Sequence, residues 1–274
     1  MEILIFAPHW GSNELTPEVF IERVRAAGFD GIEMSLPLDC EVRDDWRERI
    51  AAAGLKLIAQ QWETVFHPVF DEHRGALAKY LHNACAARPL FVNSHTGKDY
   101  YTQQQNLELI ALAASIAHQH GIEIVHEIHR SRFSGHPMLL LPYLDQLPAL
   151  PLTADLSHWC CACESLLEDQ PATLAQVFGH VRHIHARVGH AQGPQAADFR
   201  APEYARELGS HLGWWDQIVA LRHAAGAQVM TLTPEFGPAP YTPALPYQAT
   251  LVSDPWDLNV AMLRLLRERY GTNV

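Results

Sequence analysis

Short runs of apolar, largely β-branched residues alternate along this chain with longer segments whose apolar positions recur at helical spacing. The strand-like runs cover 3–7, 31–34, 55–60, 90–95, 123–127, 152–155, 183–187 and 229–235, and the helical patterns cover 16–27, 44–53, 71–86, 103–120, 137–146, 171–178, 202–225 and 254–269. Many of the helical segments open on proline or a short polar N-cap residue, and Gly28, Gly54 and Gly121 stand where helices should stop. Eight strand–helix alternations predict a parallel α/β sheet closed into a (β/α)8 TIM barrel, with residues 1–274 forming one domain. The interval before the eighth strand begins with a Gly-, Pro-, Gln- and Ala-rich stretch at 189–202 that is low in large apolar anchors. In a barrel this would be a long loop on the reactive rim, either a lid or a mobile surface insertion.

A chain of 274 residues with 48% hydrophobic content can bury one large core. Its formal net charge of -11 argues against a nucleic-acid partner, which needs a basic face. The N-terminal run has no basic segment and no cleavage signature, and no stretch reaches the roughly 18 apolar residues of a membrane span, so a cytoplasmic enzyme is expected. Five cysteines, an odd count, suit a reducing compartment. Cys160 and Cys163 form a Cys-x-x-Cys pair without further ligands at zinc-site spacing, and they are expected to be reduced thiols following a strand.

Barrel strands place alternate residues inward, and their C-terminal ends carry the chemistry. The fifth strand ends in Glu127, the sixth in Asp155, the seventh carries His185 and the eighth ends in Glu235. Three carboxylates and an imidazole converging on one mouth are the ligand types of a divalent-metal site, and carboxylates held that close stay ionised only around a cation. His183, His185 and Arg187 share one strand face, with His185 the ligand and His183 a deeper hydrogen bonder. His95, His129, Arg130, His158, Lys98 and His190 gather at the same rim, with Trp10, Trp62, Trp159 and Tyr241 as aromatic candidates for stacking on a sugar.

On the run Glu127, then Asp155-Leu-Ser-His158, then His183-Ile-His185, then Glu235, the chain resembles the xylose isomerase-like TIM-barrel superfamily along essentially its whole length. That superfamily includes sugar-phosphate isomerases and epimerases, ketose 3-epimerases, hydroxypyruvate isomerase, inosose dehydratase and endonuclease IV. The resemblance implies one Mn²⁺, Mg²⁺, Co²⁺ or Zn²⁺ held by Glu127, Asp155, His185 and Glu235. It also implies proton transfer by Glu127 and Glu235, substrate contact by His158, and a sugar-like small molecule as partner. His95, His129 and Arg187 complete the expected substrate contacts. After the seventh strand the sequence departs from the ketose-epimerase pattern, which leaves the substrate open.

The chemistry expected is isomerisation or epimerisation by proton abstraction beside a metal-polarised carbonyl. Three alternatives share these residues. They are a dehydratase acting on an inosose-like substrate, an endonuclease IV-like phosphodiesterase with several zinc ions, and a non-catalytic sugar-binding barrel. No Gly-rich loop opens a helix after the seventh or eighth strand, where barrels commonly hold phosphate.

Overall fold

In a computed structural model, which describes residues 1–271, the apolar runs become eight parallel strands. They are β1 (Glu2–Pro8), β2 (Gly31–Ser35), β3 (Lys56–Gln61), β4 (Val92–Ser94), β5 (Ile124–Glu127), β6 (Leu152–Ala154), β7 (Val181–His185) and β8 (Val229–Thr233). Each pairs with its neighbour in sequence, and β1 pairs with β8 through registers such as Leu4 with Thr231, closing the barrel. Nine α-helices lie among the described residues: α1 (Pro17–Ala27), α2 (Cys40–Ala52), α3 (Phe70–Ala86), α4 (Gln103–His120), α5 (Pro137–Gln146), α6 (Leu156–Cys163), α7 (Pro171–Phe178), α8 (Ala205–Ala224) and α9 (Pro255–Tyr270). None is long and apolar enough to cross a membrane.

Local chemistry accounts for most of these boundaries. Thr102 and Gln105 make a reciprocal capping box at the start of α4, while Gly28 and Gly121 end α1 and α4 at φ 89° and 66°, a conformation that costs a residue with a Cβ. The α2 helix starts earlier than its apolar pattern suggests, because the Asp39 side chain accepts from the amides of Glu41 and Val42. The α6 helix is absent from the periodicity altogether. Its cap is Asp155, whose carboxylate accepts from the amide of Ser157.

The two faces of each strand bury different things. Ile3, Ile5, Ala7, Ile32, Met34, Leu57, Ala59, Ile124, Leu152, Ala154 and Ile184 face the helices and join the main core. Leu4, Phe6, Ile58, Phe91 and Val125, at the alternate positions, form a separate apolar cluster that plugs the base of the barrel interior. Gly31 makes room for that plug, since a Cβ there would sit 2.4 Å from the Phe6 ring and 2.3 Å from the Lys56 carbonyl. Farther up the same inward faces the side chains become polar: Glu33, Asn93, Thr153, His183, Thr231 and Thr233 are all buried.

Candidate metal centre and cavity

Period-two alternation carries the inward faces of β5 to β8 to their ends at Glu127, Asp155, His185 and Glu235. One ligand-type atom from each of these four buried residues lies within 4.8 Å of all the others. His185 Nδ1 is 2.8 Å from Glu235 Oε2, 3.6 Å from Glu127 Oε2 and 3.9 Å from Asp155 Oδ2. The four residues singled out in the sequence therefore meet at one point.

Each carboxylate is held by neighbours. Glu127 Oε2 accepts from Asn93 Nδ2 at 2.7 Å and lies 2.8 Å from His95 Nε2. Asp155 is bound by the Ser157 amide and hydroxyl on one oxygen and by the Arg187 guanidinium on the other. Glu235 Oε1 accepts from Gln60 Nε2 at 2.9 Å, and Arg187 lies 3.5 Å from its other oxygen. Beneath them Glu33 receives His183 and His185 through their Nε2 atoms, each at 3.1 Å, together with Thr233 Oγ1 and Asn93 Nδ2.

The electrostatics follow from this crowding. Burial alone would push His185 to its neutral form, but Glu235, Glu33 and Glu127 outweigh it and raise its pKa well above the ordinary histidine value. Burial raises Asp155 to about 6 despite Arg187 and His185, with Glu235 and Glu127 adding to the rise. Glu33 goes the other way, its burial overcome by the two imidazoles beside it, which hold it well below the usual carboxylate range.

The donor set fits a divalent cation. Glu127 Oε1 is buried without a hydrogen-bond partner, and His185 Nδ1 faces the carboxylates without an aligned hydrogen bond; a cation among the four side chains would satisfy both atoms. Three carboxylates and one imidazole suit Mn²⁺, Mg²⁺, Co²⁺ or Zn²⁺. Two further metal-compatible groups, Glu33–His183–His185 and His95–Glu127–His129, overlap this one through His185 and Glu127. The lower of them is already saturated, since Glu33 accepts from four donors. Among the described residues no such group includes a cysteine, and Cys160, Cys161 and Cys163 lie free on α6.

Above the centre opens a cavity of about 860 Å³. Its wall includes His95, Glu127, His129, Arg132, Arg187 and Glu235, faced by Trp10, Trp46, Trp62, Phe66 and Tyr241. His95, His129 and Arg187 thus stand where substrate contacts were expected. His158 does not line the cavity. It is fully buried, with its ring 3.8 Å from that of His129 and its Nε2 2.9 Å from Arg187, and it reaches the cavity through Arg187. Burial, His129 and Arg187 hold its pKa well below the ordinary value, so it is neutral and accepts a hydrogen bond from the guanidinium. Arg187 is packed against Tyr241 and Trp10, at 4.9 and 5.9 Å from the ring centroids.

The stretch 189–202 is better anchored than its composition suggests. Phe199 is buried against Phe236, and Gln195 exchanges hydrogen bonds with the backbone of Gly237 while reaching Thr242 Oγ1 at 2.8 Å. Of the residues missed in the sequence, Glu33, Gln60 and Asn93 are polar positions on inward strand faces, and that parity was the signal for them. Arg132 sits in the β5–α5 loop, where no periodicity marks it.

No family model matches the chain, and no curated protein matches it by sequence. Solved structures do share its architecture. The apo 3-keto-D-glucoside 4-epimerase YcjR of E. coli aligns over 97% of this chain and 100% of its own, with a TM-score of 0.60 and 11% identity. The probable 3-DHS dehydratase AsbF, involved in petrobactin synthesis in Bacillus anthracis, aligns over 98% and 100%, with a TM-score of 0.61 and 14% identity. A xylose isomerase-like TIM-barrel protein from Mycobacterium smegmatis, crystallised with magnesium, aligns over 85% and 90%, with a TM-score of 0.58 and 14% identity. The chain shares its closed (β/α)8 barrel fold with these proteins. At these identities the likeness extends to the fold alone, and the four strand-end residues carry the chemical argument.

Proposed function

We propose that the protein is a divalent-metal-dependent isomerase or epimerase of a sugar-like hydroxy-carbonyl substrate. The observation that carries this reading is the meeting of Glu127, Asp155, His185 and Glu235 within 4.8 Å at the floor of a cavity large enough for a sugar. The similarity in fold to a keto-glucoside epimerase, a probable dehydratase and a barrel crystallised with magnesium is consistent with it. Glu127, Asp155, His185 and Glu235 would hold the cation, which when bound would supply Lewis acidity to a substrate carbonyl and so acidify the adjacent C–H.

The protein's own groups do the rest. Glu127, with one oxygen tied to Asn93 and His95, keeps its other oxygen free of protein partners, and Glu235 is oriented by Gln60. The two stand on β5 and β8, which are not neighbours around the barrel, so a carbon held between them loses its proton to one and regains it from the other. Arg187, fixed by Asp155 and backed by neutral His158, presents positive charge toward oxygen atoms that become anionic during proton removal. Trp10, Trp62 and Tyr241 exclude water and offer faces to the sugar ring.

The test is turnover in D₂O with Mn²⁺ and a panel of ketoses, inososes and sugar acids, followed by NMR. Wild-type protein is expected to place deuterium at the carbon next to the carbonyl, and Glu127→Gln and Glu235→Gln to abolish that exchange while retaining some metal. Turnover without deuterium would indicate hydride shift or hydrolysis, and exchange surviving in both variants would remove the two glutamates as bases. A product short of one water would move the same site to dehydration.

A further inference from the structure

Two buried cations sit close to this cavity in different circumstances. Arg187 is charged but ion-paired within the protein, to Asp155 and, at 3.5 Å, to Glu235. Arg132 is not. It lies in the β5–α5 loop, lines the cavity and is 3% exposed, yet among the described residues its guanidinium hydrogen-bonds only through Nη1 to the carbonyl and hydroxyl of its neighbour Ser131, at 3.0 and 3.3 Å. Its Nε is buried with no partner, and among the described residues no carboxylate lies within 4.0 Å of it.

The surroundings strengthen the anomaly. Lys98 is 4% exposed, and among the described residues its ammonium hydrogen-bonds only to the Val65 carbonyl, at 3.3 Å. Its ammonium is pushed below the usual lysine range by burial and by the charge of Arg132. The Arg130 guanidinium lies 5.2 Å over the ring of Tyr241, on the cavity wall, and among the described residues hydrogen-bonds only to Cys161 Sγ. Glu127 and exposed Asp99 act on Arg132 from beyond ion-pair distance. In a chain of net charge -11, three cations have collected at one rim without an acidic partner. A buried guanidinium with unpaired N–H groups is destabilising unless a partner arrives, and its planar fork fits the oxygens of a carboxylate or phosphate.

We propose that Arg132, supported by Lys98, binds an anionic oxyacid group of the substrate, making the substrate a sugar acid or sugar phosphate and not a neutral sugar. This rests on reading the cavity as the substrate site. The hydroxy-carbonyl end meets the metal centre and the anionic end meets Arg132, which fixes the substrate's direction in the cavity. No glycine-rich loop is needed, because a side-chain fork does the recognition.

The experiment is a fluorescence titration of the Mn²⁺-loaded protein with D-gluconate, D-glucitol 6-phosphate and neutral D-glucitol, read from the cavity tryptophans. Wild type is expected to bind one of the two anions at least about tenfold tighter than glucitol, the scale of one charge-assisted hydrogen bond, and the preferred anion identifies carboxylate or phosphate. Arg132→Gln should erase that preference, bringing the anion's affinity to the level of glucitol's in the same variant, while Arg132→Lys should keep part of it. Inorganic phosphate should compete with the anion and not with glucitol, a readout that needs no variant to fold. Equal binding of all three ligands overturns the proposal. So does a preference that survives in Arg132→Gln, which would put the anion on the metal. Metal content measured on the same samples separates this failure from failure of the metal centre, because loss of Mn²⁺ leaves the Arg132 comparison readable.

Discussion

The floor and the mouth of this barrel are built from the same strands and solve opposite problems. At the floor, Leu4, Phe6, Ile58, Phe91 and Val125 fill the interior with apolar side chains that need nothing beyond close packing. At the mouth, Glu127, Asp155 and Glu235 crowd around His185, each taken out of water and held by hydrogen bonds to Asn93, Ser157, Gln60 and Arg187. On β5 the change happens between Val125 and Glu127, one strand repeat apart, or roughly 7 Å. Phe91 and His183, with ring centroids 5.2 Å apart, mark the boundary. Two inward positions on one strand thus serve stability and chemistry in turn, and the polar layer of Glu33, Asn93 and His183 keeps the charges from resting directly on hydrocarbon.

This division predicts that the two ends can be broken separately. The largest effect belongs to the mouth: the Glu127→Ala, Asp155→Ala double variant should lose its metal and more than about 10³-fold in activity, because the several kcal/mol of Lewis-acid stabilisation goes with the ion. Its barrel should stay folded but melt below metal-free wild type, because Asp155→Ala leaves buried Arg187 short of a carboxylate and uncaps α6. Full metal occupancy by elemental analysis would refute the ligand assignment. The floor should give the converse. Ile58→Ala, at a fully buried site, should cost about 2–5 kcal/mol in denaturant unfolding while the folded fraction binds metal as before. A loss of metal affinity with little loss of stability would show that the two layers are not separable.

Between the layers stands Glu33, and it sharpens the comparison further. Its carboxylate receives His185 Nε2 and thereby turns Nδ1 toward the three carboxylates above. Glu33→Gln keeps the shape and loses the charge, so metal affinity measured by chelator competition should fall about 10–100-fold. An unchanged affinity would reduce Glu33 to a filler of the polar layer.

How much of this was legible in the sequence follows from the same physics. The strands were visible because apolar runs between turn residues leave few alternatives, and the four strand-end groups because barrel geometry assigns strand ends a place before any contact is known. Glu33 carried the same signal, a lone carboxylate amid the apolar residues of β2, yet its meaning depends on closure bringing β2 against β7 side chains across the barrel. The α6 helix was hidden because Leu156–Cys163 is buried on nearly every side and shows no periodicity. The anchors of the loop at 189–202 leave no mark on its own composition, because Phe199 and Gln195 find their partners in the segment after β8. His158 passed for a cavity residue because spacing gives proximity to Asp155 and not what stands in front.

The smallest predicted effect tests whether charge is confined to the mouth. His126, on β5 between Val125 and Glu127, is buried like His185, but it faces the helix layer, where Thr96 Oγ1 is 2.7 Å from its Nδ1 and, among the described residues, no carboxylate pairs with it. Burial therefore lowers its pKa to about 4, the opposite direction from His185. Its folded value lies below the unfolded value of about 6.5, so the unfolded chain takes up a proton first as pH falls. The stability associated with neutral His126 is complete above pH 6.5 and is lost progressively down to about pH 4, the deficit reaching about 1 kcal/mol at pH 5.5. His126→Gln keeps a neutral hydrogen-bonding side chain and does not titrate. It should be less stable than wild type at pH 7 from imperfect packing, yet lose about 1 kcal/mol less than wild type between pH 7 and pH 5.5. Taking that difference of differences in urea melts cancels the mouth groups, Asp155 included, which titrate alike in both proteins. Parallel pH profiles would mean that His126 takes up its proton in the folded barrel as readily as in the unfolded chain, so that positive charge can be buried outside the mouth as well as within it.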